Sequence, residues 1–487
     1  MISLEQRRKR ASDIYDQGRE TVVNYIVDLE LKIESMDDRL KRLEAFMHQD
    51  SHNSSLPPSS DKFTKRYPEN LHPKSKRTPG GQKGHRGSTL KRVKQPNIVI
   101  DHLVSECTHC GTSLAETLST HYQARQVVDL PEITMVVTEH RAEVKTCPCC
   151  CQKSHAAFPD GITQAVQYGP EIKAVGVYFM EHQMLSSLRT VEAIEDLFNC
   201  EIAEGSLFNW TIEAAEQSAS SYEAIKEYAI ESDVLHMDET AVNRGKNRKW
   251  VHVACTPETT YLAFHTKRGT EAINEIGIVA NFTGRAIHDM YASYFTYTTF
   301  EHGVCNAHIL RELTLAFEEY NQTWAEELIQ FLQKSLRTVK SSIRKGNDSI
   351  DARTLSKYEE RYMMLVEKGL TKNPLATRGS PHIRGKVKQS KVRNLLDRLH
   401  KHRESVLAFL YDFSVPFTNN EAERDLRMVK VKLKISGCFR SVVGLDIYCR
   451  LRSYLSTARK NGVRAFKALV DAFNGRPFII QQRFAAE

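Results

Sequence analysis

Two cysteine pairs, Cys107-x-x-Cys110 and Cys147-x-x-Cys150, restrict what this chain can fold into more tightly than any other feature. Each places two sulfurs where one tetrahedral ion could take them, at Zn–S distances of about 2.3 Å. Six of the eleven cysteines lie between Cys107 and Cys151, and in a reducing compartment such clustering reads as metal binding rather than as disulfides. Gly111 supplies the tight turn after the first pair, and Pro148 stiffens the second. With every ligand a thiolate, the Zn²⁺ keeps no open position and is structural. Buried free thiols are the alternative, and Cys149 and Cys151 leave the register of the second pair open. A zinc-ribbon-like module is expected over residues 99–160.

The 487 residues correspond to about three domains. A composition of 41% hydrophobic and 26% charged residues excludes wholesale disorder. The net charge of +8 is unevenly spread, because residues 62–98 hold eleven Lys and Arg against Glu69 alone, a local +10 that leaves −2 for the remainder. Lys74, Lys76, Arg77, Lys83, Arg86, Lys91 and Arg92 belong to this window, and residues 51–98 as a whole form a basic Pro/Gly-rich arm or linker. Such a segment either contacts the phosphates of a nucleic acid or is a solvated tether. No run of apolar residues is long enough to span a bilayer, and the first ten residues are polar, so a cytoplasmic protein without membrane contact is expected.

Val22, Ile26, Leu29, Ile33, Met36, Leu40, Leu43 and Met47 alternate spacings of four and three, the seam of a helical coiled coil within residues 1–50. A homodimer follows from that reading; a helix packed on its own chain is the alternative. Alternating apolar residues over 126–139 predict short hairpins between the cysteine pairs. Residues 165–230 read as helical, with a helix-turn-helix pattern over 190–198 and 206–216 around Gly205; its Asn209 and Trp210 are candidates for DNA contact. The period then changes. Strands are expected over 234–237, 249–254, 260–265 and 285–287, with a helix over 270–278, giving a mixed α/β unit within 231–312. A helical insertion over 313–412 precedes final helices and a tail over 413–487.

The acids carry the chemistry. Asp238 follows the strand 234–237, Asp289 lies just past the strand 285–287, and Glu423 sits in the first turns of a helix that also carries Arg424 and Arg427. Three carboxylates on neighbouring elements can hold two Mg²⁺ (or Mn²⁺) ions about 3.5–4 Å apart, one activating a nucleophile and the other stabilising the departing oxygen of a phosphodiester.

Several motifs occur in one order: the runs 52–61 (His-Asn-Ser-Ser-Leu-Pro-Pro-Ser-Ser-Asp) and 79–87 (Pro-Gly-Gly-Gln-Lys-Gly-His-Arg-Gly), the four cysteines, Leu235-His236-Met237-Asp238-Glu239-Thr240, and 419–427 (Asn-Asn-Glu-Ala-Glu-Arg-Asp-Leu-Arg). Together they resemble the transposases of the insertion-sequence-66 family. The resemblance implies a multidomain α+β protein with a ribonuclease-H-like catalytic core and an Asp-Asp-Glu triad of Asp238, Asp289 and Glu423. It also implies metal-dependent cutting and joining of double-stranded DNA, at the terminal inverted repeats of a mobile element and at a target, in a bacterial, nucleoid-associated setting. Accessory proteins of the same element are further candidate partners. Cys305-x-x-His308, with Arg311, resembles a signature found after the second aspartate of such enzymes and is expected to support the site; a second zinc there, with His302 as the nearby third ligand, is the alternative. The second acid stands in Asp289-Met290-Tyr291, where many members of the family have Asp-Gly-Tyr, and Leu56 stands where a lysine is usual. A structure-specific nuclease on the same core and a zinc-containing DNA-binding regulator without catalysis are the alternative readings.

Overall fold

A computed structural model describes residues 3–50, 52–54, 90–131, 133–244, 247–376 and 387–481. Among them, residues within 1–66, 158–194 and 201–487 group into one compact unit, and those within 67–157 and 195–200 into another. Most of the basic arm, including Lys74, Lys76, Arg77, Lys83 and Arg86, lies outside the described residues, as do most of the motif over 52–61 and all of that over 79–87.

The chain opens with α1 (Leu4–Tyr15), started by a Ser3/Gln6 capping box, and α2 (Arg19–Met47), which carries the predicted seam on one continuous helix. Among the described residues most of that seam lies open: Ile33 is 65% and Leu40 55% exposed. The end of the helix is tied down by His48, whose Nδ1 lies 2.8 Å from Glu319.

In the second unit the two cysteine knuckles are built alike. Cys107 N–H donates to Thr112 O and Gly111 N–H to Cys107 O; Cys147 N–H donates to Gln152 O and Cys151 N–H to Cys147 O. Cys151 therefore occupies the place of Gly111, and both have positive φ, 60° and 72°. By this equivalence Cys147 corresponds to Cys107 and Cys150 to Cys110. The predicted hairpins over 126–139 are absent from the described residues of that stretch. The antiparallel pair is instead β1 (Val144–Thr146) with β2 (Lys153–His155), flanking the second knuckle. Alternation makes a strand only when one face is covered, and here Val127 and Val137 are more than 90% exposed.

Helices α3 (Pro170–Val177), α4 (Ser187–Phe198), α5 (Glu204–Gln217) and α6 (Ala219–Ile230) follow, with a π-helical turn over Tyr178–His182. Gly205 lies inside the first turn of α5, not in a connecting turn. Trp210 is not available to DNA: it is 5% exposed, packs edge-on against Tyr168, and lies so close to Gly176 of α3 that a Cβ there would come within 3.0 Å of its ring. Asn209 is exposed.

The central sheet comprises β3 (Val234–Arg244), β4 (Asn247–Cys255), β5 (Thr260–His265), β6 (Arg285–His288) and β7 (Glu301–Val304), with α7 (Thr270–Ile276) between β5 and β6. The strand order is β5-β4-β3-β6-β7; the first three are antiparallel, while β3, β6 and β7 run parallel. Period-two alternation gives β3 two faces. Leu235 and Met237 join Tyr222, Ile225 and Ala286 in one core, while Val242, Val251 and Leu262 pack with Ala422, Leu426 and Tyr448 on the other side.

Beyond β7 come α8 (Asn306–Glu318), α9 (Thr323–Arg344), α10 (Ala352–Lys372), α11 (Lys391–Lys401) and α12 (Arg403–Tyr411), the helical insertion, whose core centres on Trp324, Tyr362 and Leu396. The chain then returns to the sheet as α13 (Asn420–Ser436), α14 (Val442–Lys460) and α15 (Ala465–Phe473).

Candidate functional site

The two aspartates meet through strand register. β3 and β6 pair in parallel with Val234 opposite Arg285 and His236 opposite Ile287, and the same offset carried two residues further sets Asp238 opposite Asp289. β3 does not end at Met237 as the sequence suggested; it continues to Arg244 on β4, while its pairing with β6 stops at His236. Asp238 thus lies where the two strands part, on the side of β3 opposite Leu235 and Met237. The Asp238 carboxylate accepts from the Glu239 N–H at 2.8 Å, and Asp289 accepts from the Tyr291 N–H at 2.9 Å.

Asn419 seats the third acid. Its side-chain N–H₂ donates to Met237 O at 2.8 Å, its Oδ1 pairs with His236 Nδ1 at 2.8 Å, and its backbone N–H donates to Cys305 Sγ at 3.2 Å. One residue therefore ties the start of α13 to β3 and to the end of β7. Three buried hydrogen bonds of this kind are each costly to break. Glu423, in the first turn of α13, consequently faces the first turn of α8, where His308 Nδ1 lies 3.8 Å from Glu423 Oε1. Glu421 points elsewhere and pairs with Arg424 at 3.2 Å. Arg427 and Lys430 continue the Glu423 stripe along the helix and are exposed, as is Arg424. Arg311, one turn beyond His308, is half-buried.

Burial, with Glu239 and Asp289 beside it, pushes the Asp238 carboxyl up to about 8. Burial and Asp289 also raise Glu239, against the pull of Tyr294 and Arg268. Burial alone would lower the His308 imidazole, but the Cys305 sulfur and the Glu423 carboxylate raise it to about 9. An acid whose folded pKa stands above its unfolded value stabilises the fold below the unfolded value, and that contribution is lost as pH rises through the folded one. For Mg²⁺-free protein this predicts that the Asp238 contribution is lost between about pH 4 and pH 8, so that Asp238→Asn gains stability relative to the parent across that window. Denaturant midpoints at both ends of that window measure it; parallel curves for parent and variant would contradict it.

Little in the sequence pointed to the residues behind the acids. Glu239, almost fully buried, accepts from Arg268 Nε at 2.6 Å and from Tyr294 OH at 2.7 Å. Arg268 reaches on to within 4.0 Å of Asp289 and lies over the Tyr291 and Trp250 rings. This network fixes the acid pair from behind. The Glu239 signal was present, an acid adjoining Asp238; Arg268 stands in a loop with no pattern of its own. Met290 packs against the core of the insertion.

Residues 165–446 match the family model described as the Transposase IS66 family, and residues 105–151 match the zinc-finger binding domain of transposase IS66. The first match covers more than half of the chain. The chain belongs to the IS66 transposase family, and its paired cysteines form that family's zinc-finger segment. Residues 8–91 match a family of unknown function. No curated protein matches the chain. Among the described residues, no helix is long and apolar enough to cross a membrane.

Proposed function

We propose that Asp238, Asp289 and Glu423 are the Asp-Asp-Glu triad of a DNA strand-cleaving and strand-joining centre on a ribonuclease-H-like core. The observation that carries this reading is the register of β3 and β6, which brings Asp238 and Asp289 to the point where the parallel strands part. The strand order, with three antiparallel strands followed by two further parallel ones, supports the core assignment. The raised Asp238 carboxyl fits the need for a cation, since like-charged acids in a half-buried cluster resist ionising together. Asp238, Asp289 and Glu423 would hold Mg²⁺ or Mn²⁺, which when bound supplies activation of a water or 3′-hydroxyl and neutralises the departing oxygen. The protein contributes alignment: Asn419 sets the reach of Glu423, and Arg268 with Glu239 holds the acid pair. Arg424 and Arg427, exposed beside Glu423, would meet DNA phosphates. Incubating the full chain with a duplex bearing the element ends and Mg²⁺ tests this; Asp238→Asn should release no 3′-hydroxyl and join none, and an active variant would overturn the triad. Cleavage without joining would favour a nuclease.

Zn²⁺ in the Cys107, Cys110, Cys147 and Cys150 module is structural in this reading. Each knuckle is formed, and thiolates presented by such turns suit zinc; the four sulfurs are not gathered into one coordination sphere among the described residues. The exposed seam of α2 supports a homodimer. Replacing Ile33 and Leu40 with Asp should put charge into that seam and halve the mass in solution, read by light scattering; an unchanged mass would remove the interface. The basic window, from Lys62 through the exposed Lys91, Arg92 and Lys94, is assigned to DNA phosphates. Neutralising its cations should lower the slope of log affinity against log salt by about 0.9 for each phosphate no longer neutralised, and an unchanged slope would make it a tether.

A further inference from the structure

Among the described residues, one group of three metal-ligating side chains has all its ligand atoms within 4.8 Å of one another: Cys305, His308 and Glu423. The group arises from the junction of three elements. β7 ends at Val304, so Cys305 is the N-cap of α8 and His308 lies in its first turn, three residues on and on the same side. α13 brings Glu423 to the same place, its start held by the Asn419 N–H on the Cys305 sulfur. His308 Nδ1 and Glu423 Oε1 are both buried and neither has a hydrogen-bond partner, although they face each other at 3.8 Å. A pair of buried polar atoms left beyond hydrogen-bonding distance keeps the part of its desolvation penalty that attraction across 3.8 Å does not offset. Something that bonds to both would remove it. The other nearby histidine is not a candidate, because His302 has one ring nitrogen against His288 Nε2 at 2.9 Å and the other against Tyr297 O at 3.0 Å.

We propose that Cys305, His308 and Glu423 form a second metal site, for a thiophilic divalent cation of the zinc class, whose occupation draws Glu423 away from Asp238 and Asp289. The donor set decides the class. A sulfur, an imidazole nitrogen and a carboxylate oxygen suit zinc, whereas Mg²⁺ takes oxygen ligands almost exclusively. Zinc bonds of about 2.0–2.3 Å put neighbouring ligands roughly 3.5 Å apart, so the present arrangement has to close by about 1 Å. The rotatable Glu423 side chain can supply that movement while Cys305 and His308 stay on the start of α8. With three protein ligands the fourth position is left to water, which makes this ion more exchangeable than one held by four thiolates. A carboxylate turned toward Cys305 and His308 is lost to the acid pair, and zinc at this site therefore opposes Mg²⁺-dependent cleavage. This last consequence rests on Glu423 being the third acid of the triad.

The test uses the full chain, purified without chelator and titrated with Zn²⁺, with Co²⁺ as the spectroscopic probe. The parent should hold one equivalent of zinc more than either Cys305→Ser or His308→Gln, and Cys107→Ser should remove a different equivalent. In the Cys107→Ser background, a thiolate-to-cobalt absorption should remain and should vanish when Cys305→Ser is added. Zinc beyond the first equivalent should lower Mg²⁺-dependent cleavage by the parent, and removing that excess should restore it. Equal metal content in the parent, Cys305→Ser and His308→Gln would overturn the site; His308 is the less buried of the two, so its variant decides if the cysteine variant fails to fold. Glu423→Gln separates the two claims. Loss of cleavage with the second equivalent retained overturns the metal site and leaves the triad standing, while loss of that equivalent with cleavage retained does the reverse.

Discussion

Glu423→Gln is expected to lower metal-dependent cleavage and joining by about 10³-fold or more, close to 4 kcal/mol of transition-state stabilisation. DNA binding and the denaturant midpoint should stay near those of the parent. The substitution is isosteric, and Glu423 makes no hydrogen bond through its buried Oε1 that the fold depends on. Glu421→Gln should retain most of the activity. The two glutamates are about 200° apart around α13, and Glu421 is occupied with Arg424 at 3.2 Å, where a carboxylate near a helix N-terminus is favoured by the dipole alone. Cleavage by Glu423→Gln together with its loss in Glu421→Gln would place the wrong face of α13 at the acid pair and sink the assignment.

Cys107→Ser should cost the protein one equivalent of zinc and the ordered fold of the segment 105–151. Zinc binding in small modules is worth on the order of 10 kcal/mol and is inseparable from their folding. The described strands there are only three residues each and exposed throughout, so among the described residues no apolar core replaces the ion. The sheet-bearing unit has its own cores and is a separate compact unit. Limited proteolysis should accordingly cut the cysteine segment early while the main unfolding transition persists. Metal-free protein as resistant as the parent would show that the knuckles hold by themselves.

How much of this was legible in the sequence varies with the source of order. β5 appears over the residues expected of it, and β4, β6 and α7 lie within a few residues of theirs, because Val251, Val253, Leu262 and Ile287 carry a local alternation that packing on both faces only reinforces. β7 carried no such signal. It is four residues long, begins Glu301-His302, and owes its place to Gly303, where a Cβ would come within 2.5 Å of Ile287. The hairpins expected over 126–139 failed for the converse reason, an apolar alternation with nothing to cover it. At the site, Asp238, Asp289 and Glu423 could be named from motifs. What their supports do could not be read: Asn419 opens the run 419–427, but nothing in the sequence says that its three hydrogen bonds join segments 114 to 183 residues apart.

The insertion, α8 to α12, is closed at its neck, where Asn306 N–H donates to Phe417 O at 3.0 Å and the Asn306 side chain donates to Val406 O at 3.1 Å. Its two ends are therefore held together independently of how far the chain travels between them. The 134 residues separating Asp289 from Glu423 are not a ruler. Helices could be lengthened, shortened or decorated in the outer part of the excursion, away from the shared core around Ile287 and Val304, without shifting the glutamate. A shift of one residue between Cys305 and Asn306, or between Phe417 and Asn419, would displace it at once. Tolerance to insertion should therefore be sharply divided along this stretch, permissive in the outer loops and forbidding within a few residues of the neck.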